Sequence, residues 1–77
     1  MTISQFLTAG EGKQIEALRN GTYVGKRLEG VYEITLHQVA DFYVECKRHT
    51  ELNVLRELRA FKNPDLLKPY MDDIAFN

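Results

Sequence analysis

The sequence has few of the residues that cross-link small domains or bind metal ions. It contains one cysteine, Cys46, and two histidines, His37 and His49. A single cysteine forms no internal disulfide, and two histidines about a strand length apart do not converge on a metal ion. We therefore expect no metal site and no cofactor. Cys46 is interpreted as a small buried core residue in a reducing compartment.

Charge of one sign and long apolar runs are also missing. Ten basic and eleven acidic residues leave a net charge of −1, so no overall field attracts nucleic acid or an anionic membrane. No apolar run approaches the ~20 residues that span a bilayer. The first residues lack the basic region and apolar core of a signal peptide. We expect a cytoplasmic protein with no membrane contact and no small-molecule ligand.

Motifs of catalysis are absent as well. Gly10, Gly12 and Lys13 resemble a phosphate-binding loop only superficially, because the full spacing of that loop is not present. Glu45 and Glu57 are the one suggestive acidic pair, and both are expected to be solvated, with no burial to raise a pKa. Cys46 and the histidines are predicted on opposite faces of a sheet. The sequence predicts no catalytic residue and a non-enzymatic protein.

Strand-like alternation marks the stretch from Tyr32 to Phe61. Apolar and polar side chains alternate with a period of two in 32–37 and again in 42–47, which is typical of strands. Apolar residues within 36–46 also recur at helical spacing, so a helix over 36–48 is the alternative. The β-branched and aromatic composition favours strands. The pattern predicts an antiparallel meander.

The register follows from sorting side chains between two faces. A three-residue loop of Val39, Ala40 and Asp41, with Asp41 near the left-handed region, is predicted, whereas a two-residue loop would mix the faces. A second turn over 50–52 then places Val44 opposite Leu58. The predicted apolar face consists of Tyr32, Ile34, Leu36, Phe42, Val44, Cys46, Leu58 and Ala60. The predicted polar face consists of Glu33, Thr35, His37, Tyr43, Glu45, Lys47, Leu55, Glu57, Arg59 and Phe61.

Helices are predicted on both sides of this sheet in the chain. In the helical segment 1–21, Thr2 and Gln5 can form a capping box, and Asn20-Gly21 can end a helix in the left-handed conformation. Residues 22–30 are either a loop or, slightly favoured, a fourth strand at an edge. A C-terminal helix over 63–75 begins at Asn63-Pro64.

The predicted fold class is α+β in one domain, 1–77. A three- to four-stranded antiparallel meander within 22–61 has the N-terminal and C-terminal helices packed on its apolar face. Leu67 and Ile74 of the C-terminal helix are expected to complete the core with Phe42, Val44, Leu36, Ile34 and Leu58.

Several stretches together resemble a group of small uncharacterised bacterial proteins. These are DFYVEC at 41–46, a turn with Asn53, LRAF at 58–61 and DLLKPYMDDI at 65–74. The resemblance covers roughly 32–74 and implies strands rather than helices in the central stretch. It implies no activity and no functional residues. The chain departs from the pattern at Asp41, where Gly is favoured, and at Cys46, where Val is usual.

The polar face is the candidate interaction surface. Its apolar groups are Tyr43, Leu55 and Phe61, and its rim is Glu45, Lys47, Glu57 and Arg59. Apolar groups within a mixed-charge rim are typical of a protein interface. A homodimer is the first expectation and docking on a larger protein the second. The alternative function is nucleic-acid binding on a platform of His37, Tyr43, Lys47, Arg59 and Phe61, which the glutamates on that face would oppose.

Overall fold

A four-stranded antiparallel sheet follows two helices in the chain. The computed structural model describes residues 1–63. Within them the strand order is β1-β2-β3-β4, so the fold is an α+β meander, as predicted. Apart from Asn63, the predicted helix at 63–75, with Leu67 and Ile74, lies outside the described residues. The elements are α1 (Ile3–Thr8), α2 (Glu11–Asn20), β1 (Thr22–Glu29), β2 (Tyr32–Val39), β3 (Phe42–His49) and β4 (Val54–Phe61).

The two helices begin and end through local contacts. The predicted capping box is confirmed, because Thr2 Oγ1 accepts a bond from the Gln5 amide at 3.1 Å and the Thr2 amide donates to Gln5 Oε1 at 2.8 Å. At the end of α2, Gly21 has a φ of −82°, so the predicted left-handed stop is wrong. A Cβ atom there would lie 2.5 Å from the Gln38 carbonyl oxygen. Glycine is needed for this close approach of α2 to β2.

Residues 22–29 form the fourth strand, β1, at an edge of the sheet. The strand alternative is therefore confirmed over the loop. Gly30, in the turn to β2, has a φ of 60°, a left-handed conformation that glycine adopts without steric cost.

The turn between β2 and β3 differs from the prediction. Val39 pairs with Phe42, so the loop has the two residues Ala40 and Asp41. Ala40, with a φ of 52°, occupies the left-handed position that was predicted for Asp41. That conformation costs a residue with a Cβ atom about 1–2 kcal/mol. Pairing along the whole hairpin therefore outweighs local strain in setting the register.

The β3–β4 pairing is also shifted from the prediction. Val44 lies opposite Ala60 instead of Leu58. The loop extends to Asn53, whose φ is 54°, which shifts the pairing by one residue, and an irregularity between Lys47 and Arg48 shifts it by one more. From Glu57 to Phe61 the shift is two residues, which keeps these side chains on their predicted faces. This error therefore leaves the facial arrangement of most of β3 and β4 intact.

The observed register divides the sheet into two faces that both contain apolar residues. The helix-side face holds Glu33, Thr35, His37, Val39, Phe42, Val44, Cys46, Leu58 and Ala60. The opposite face, here called the charged face, holds Arg27, Glu29, Tyr32, Ile34, Leu36, Tyr43, Glu45, Lys47, Glu57, Arg59 and Phe61. The prediction that the apolar residues of β2 share a face with those of β3 is wrong. One residue of register moves a whole strand's side chains to the other face.

Two separate hydrophobic clusters result. On the helix-side face the buried residues are Phe6, Val39, Phe42 and Val44, and the rings of Phe6 and Phe42 lie 5.6 Å apart. Partly buried residues of both helices and of β4 pack against them: Ile3, Ala17, Leu18, Leu58 and Ala60. On the charged face the buried residues are Ile34, Leu36 and Phe61. Ile34, Leu36, Phe42 and Val44 are buried, as predicted. The prediction that they form one core is wrong, because they belong to two clusters on opposite faces.

Over the described residues 1–63, no helix is long and apolar enough to cross a membrane.

Candidate functional site: interaction surfaces of the sheet

The structure brings together the predicted interaction residues with one exception. Tyr43, Glu45, Lys47, Glu57, Arg59 and Phe61 all lie on the charged face. Leu55 pairs with Arg48 and so lies on the helix-side face. The pairing of β3 with β4 shifts by one residue between Lys47 and Arg48, which is a β-bulge in β4. A bulge inserts one extra residue and changes which face the following side chains occupy.

The apolar centre of the charged face is already covered. Phe61 is 6% exposed, and the ring of Tyr43 stacks on it with the ring centroids 5.8 Å apart. Ile34 and Leu36 lie in the same cluster. The expectation of exposed aromatic groups at this site is therefore wrong for Phe61. What stays accessible is the rim, where Glu57 and Arg59 are exposed.

A buried carboxylate joins the charges of three strands. Glu45 is 8% exposed, although it was expected to be solvated. Its Oε2 atom lies 3.4 Å from Nη2 of Arg27 on β1, and its Oε1 atom lies 3.8 Å from Nη1 of Arg59 on β4. Two guanidinium groups thus offset the cost of burying this carboxylate.

The ion pairs around Glu45 continue to β1, at the edge of the sheet. Arg27 Nη1 also donates to Glu29 Oε2 at 2.7 Å, and Lys47 Nζ lies 4.0 Å from Glu29 Oε1. The hydrogen bond from Arg27, with the charges of Arg27 and Lys47, lowers the pKa of Glu29. Lys47 also lies over the ring of Tyr32, 4.5 Å from its centroid. These contacts make the rim a mutually neutralised network.

Arg27 and Glu29 were not predicted as site residues. Both belong to β1, which the sequence left open between strand and loop. Arg27 lies opposite Ile34 in the observed register. The available sequence signal is the spacing of Arg27 and Glu29. Residues two positions apart in a strand lie on the same face, so this basic and acidic pair could have been predicted to interact.

Cys46 and His37 lie on the same face, contrary to the prediction. Thr35 pairs with Cys46 across the strands, and its hydroxyl is 3.0 Å from Nε2 of His37. Burial raises the pKa of the thiol and outweighs the opposing effects of Thr35 and of the Arg48 charge. Burial lowers the pKa of His37. Both shifts favour neutral side chains, whereas a nucleophilic cysteine requires a thiolate.

No metal centre is formed within the described part of the chain. Residues 1–63 contain no group of three or more His, Cys, Asp or Glu side chains that could hold a metal ion. The ring of His49 lies beside that of Tyr32 at a centroid distance of 5.4 Å, and its Nδ1 atom accepts a hydrogen bond from the Leu52 amide at 3.1 Å. His49 therefore has a local role in the β3–β4 turn.

Four residues of the nucleic-acid platform share the charged face, whereas His37 does not. His37 lies on the helix-side face next to Tyr23, with ring centroids 5.7 Å apart. Phe61 is buried under Tyr43, and Arg59 is directed at Glu45. Stacking platforms need accessible aromatic faces beside available cations. On the charged face Arg59 is exposed and the half-buried Tyr43 ring stacks on Phe61, so nucleic-acid binding there stays a prediction.

Four exposed apolar residues lie at the end of the sheet that contains the β1–β2 and β3–β4 turns. We call these residues the distal patch, defined by Leu28, Val31, Leu52 and Val54, all of which are exposed. Leu28 lies near the end of β1 and Val54 begins β4, and the other two lie in the turns between strands. Thr50 holds the two turns together, since its amide and its hydroxyl each donate to the Val31 carbonyl at 2.8 Å.

Comparisons with family descriptions, with curated proteins and with solved structures find no match to this chain.

Proposed function

We propose that this chain is a non-enzymatic interaction module that forms a homodimer through its distal patch. The observation that carries the proposal is the exposure of apolar side chains there: Leu28 is 72% exposed and Leu52 is 65% exposed. Exposed large apolar side chains bordered by polar residues are typical of interaction sites. The surface is also fixed in shape, because the Thr50 bonds to Val31 join its turns.

Charged groups border the distal patch on both faces of the sheet. On the helix-side face, Arg48 Nη2 lies 3.2 Å from Glu33 Oε1, and Glu33 pairs with Leu28 across the strands. On the charged face, Lys47 contributes to the rim. An apolar centre with such a rim supports docking of a folded protein surface.

Three residues of the surface predicted from sequence retain enough exposure to extend this interface: Lys47, Glu57 and Arg59. Leu55, half-buried on the helix-side face, is next to Val54 in the chain. Glu45 and Phe61 are covered and add little area for a partner. The proposal therefore moves the centre of the interface from the middle of the charged face to the distal end.

A second copy is the preferred partner for three reasons. A net charge of −1 causes little repulsion between two copies. Symmetric pairing is the commonest form of association among soluble proteins. A chain this short buries only ~60% of its unfolded surface, so a partner that binds the folded form adds stability by mass action. A larger protein is the second candidate partner.

Light scattering combined with analytical ultracentrifugation tests the proposal. The wild-type protein should dimerise with rising concentration, and Leu28→Lys and Leu52→Lys should each weaken the dimer at least about tenfold, since each buries a charge in an apolar interface. A wild-type chain that stays monomeric at its highest soluble concentration contradicts self-association.

The matched control is Leu7→Lys. Leu7 is 61% exposed and lies on α1, which packs at the opposite end of the sheet. This variant should dimerise like the wild type. If Leu7→Lys weakens the dimer as much as the distal variants do, the distal patch is not the interface.

A further inference from the structure

We infer that β4 is a self-complementary edge of the sheet, to which a second copy of the chain adds its own β4 in antiparallel alignment. Leu58 then lies opposite Leu58 of the second copy, and the two four-stranded sheets join edge to edge into one. This inference goes beyond the proposed function, because the contact runs along a strand edge and is separate from the distal patch.

The outer side of β4 has no strand partner within residues 1–63. β4 is the last strand in the order of the sheet and pairs with β3. An edge strand presents backbone N–H and C=O groups that can hydrogen-bond a further strand. Space is present beside it, since a groove of about 380 Å³ is lined by residues of β4 and of α2. Its lining includes Glu57 and Leu58, which belong to opposite faces, so the groove reaches the edge itself.

Charged side chains along this edge are accessible to a partner. Arg56 and Glu57 are exposed, and the side chain of Arg59 is 56% exposed. Among the described residues 1–63, Glu57 forms no ion pair. Arg59 lies 3.8 Å from Glu45, which is longer than a hydrogen bond, so its remaining N–H donors can bind a further carboxylate. The edge thus offers a carboxylate and a guanidinium group.

The order of charges in β4 determines which alignment is favourable. Residues opposite each other must lie on the same face of the joined sheet, so the two-fold axis passes through one residue of β4. With Leu58 on the axis, Glu57 lies opposite Arg59 of the second copy, and Arg59 lies opposite Glu57 of the second copy. Cross-strand pairs of opposite charge stabilise antiparallel strands.

The neighbouring alignments lack these contacts. An axis through Arg56, Glu57 or Arg59 places a charged residue opposite its own copy, which is destabilising. An axis through Leu55 or Ala60 leaves no pair of opposite charges within the paired strands. Charged residues on an edge strand usually prevent association. On β4 they instead exclude the wrong alignments and leave one that is complementary.

The bulge in β4 limits the length of the contact. Pairing with β3 is regular from Glu57 to Phe61, so the alignment about Leu58 is regular over 57–59 and continues with Arg56 opposite Ala60. Because this contact is short, we expect it to be weaker than the distal one and to form at higher concentration. A chain with two such two-fold contacts assembles beyond the dimer.

Charge exchange in the full chain tests the alignment. Glu57→Arg and Arg59→Glu are each made in the Leu28→Lys background, so that the distal patch does not contribute to association. In either variant like charges face each other, and self-association measured by sedimentation equilibrium should weaken at least about fivefold. In an equimolar mixture of the two variants, each new charge lies opposite its complement, and association should return to that of the background protein.

Glu16→Arg in the same background is the matched control. Glu16 is exposed on α2 and undergoes the same change of charge as Glu57, so this variant should associate like the background protein. The inference is overturned if the mixture associates no better than the single variants, or if Glu16→Arg weakens association as much as Glu57→Arg does. A background protein that stays monomeric at its highest soluble concentration also overturns it.

The distal contact and the β4 contact can fail independently in these measurements. If only the distal contact exists, the wild type associates and the Leu28→Lys protein is monomeric. If only the β4 contact exists, Leu28→Lys associates like the wild type, whereas Glu57→Arg weakens association.

Discussion

The two faces of the sheet achieve burial in different ways. On the helix-side face, Phe6 of α1 packs on Phe42 in a cluster that is apolar throughout. On the charged face, Leu36 is just as buried but lies beside Glu45 and the guanidinium groups that contact it. The buried cluster on the helix-side face is thus purely hydrophobic, whereas the one on the charged face lies within a charge network.

This difference shows that alternation of apolar and polar residues does not distinguish a covered face from an exposed one. Both faces contain a buried cluster. A strand can therefore alternate between large apolar and charged residues while both sets are partly buried. In such a sheet, both alignments of β2 with β3 bury apolar residues. The alignment that forms is therefore decided by the turn and by the full set of contacts.

The largest expected effects come from deleting each cluster's central side chain. Phe42→Ala should cost about 3–5 kcal/mol and unfold much of the protein, since the cavity cannot collapse fully. Val44→Ala should cost less because fewer atoms are removed. Leu36→Ala should cost about 2–5 kcal/mol if the second cluster is an equally close-packed core. Urea denaturation monitored by circular dichroism measures all three. A cost below about 1 kcal/mol for Leu36→Ala would show that the charged face is loosely packed.

The contact between α2 and β2 should be the next most sensitive point. Gly21→Ala places a Cβ atom 2.5 Å from the Gln38 carbonyl oxygen, so backbone must move. We expect a loss of about 1–3 kcal/mol, typical of overpacking. Gly12→Ala is the control, because it lies within α2 and nothing is within 4 Å of its added Cβ. That variant should stabilise the helix by up to about 1 kcal/mol. Equal thermal shifts of the two variants would contradict the close approach.

Ion pairs on the charged face should contribute more to the free energy of unfolding than the ion pair on the helix-side face. Glu45→Gln should cost about 1–2 kcal/mol, a value reduced by the exposure of Arg59, because it leaves two guanidinium groups without the carboxylate. Glu33→Gln removes the contact to the more exposed Arg48 and should cost less than about 0.5 kcal/mol. Chemical denaturation at low and high salt measures both. The comparison fails if Glu33→Gln is the more costly change.

The smallest expected effect is the pH dependence from His37. Its folded pKa lies below the ordinary value of 6.5 because burial disfavours the charged imidazolium. Below pH 6.5 the unfolded chain therefore binds a proton that the folded chain does not, and the free energy of unfolding decreases as the pH falls. In His37→Gln, stability should fall less between pH 7 and pH 5.5 than in the wild type. Identical slopes in the two proteins would assign this dependence to other groups.

Prediction from sequence succeeded where local patterns suffice. The capping box at Thr2, the helix ending at Asn20 and the strands within 22–61 follow from residues close together in the chain. It failed where two segments had to be aligned. The two-residue loop at Ala40 places β2 and β3 in a register that sorting apolar from polar residues disfavours, and the bulge next to Leu55 has no local sequence signal. Six of the seven residues of the predicted surface share one face, but the burial of Glu45 and Phe61 was not predicted.

The amino-acid sequence by itself determined that the chain forms an antiparallel meander after a helical segment. Backbone propensities, turn residues and the period of two act over a few residues and do not depend on distant contacts. Only the tertiary structure decided that Leu36 and Phe42 lie on opposite faces and that Glu45 is buried between arginines from two other strands. The physical reason is that one residue of register exchanges the faces of an entire strand, and pairing energies summed along both hairpins choose between the two alignments.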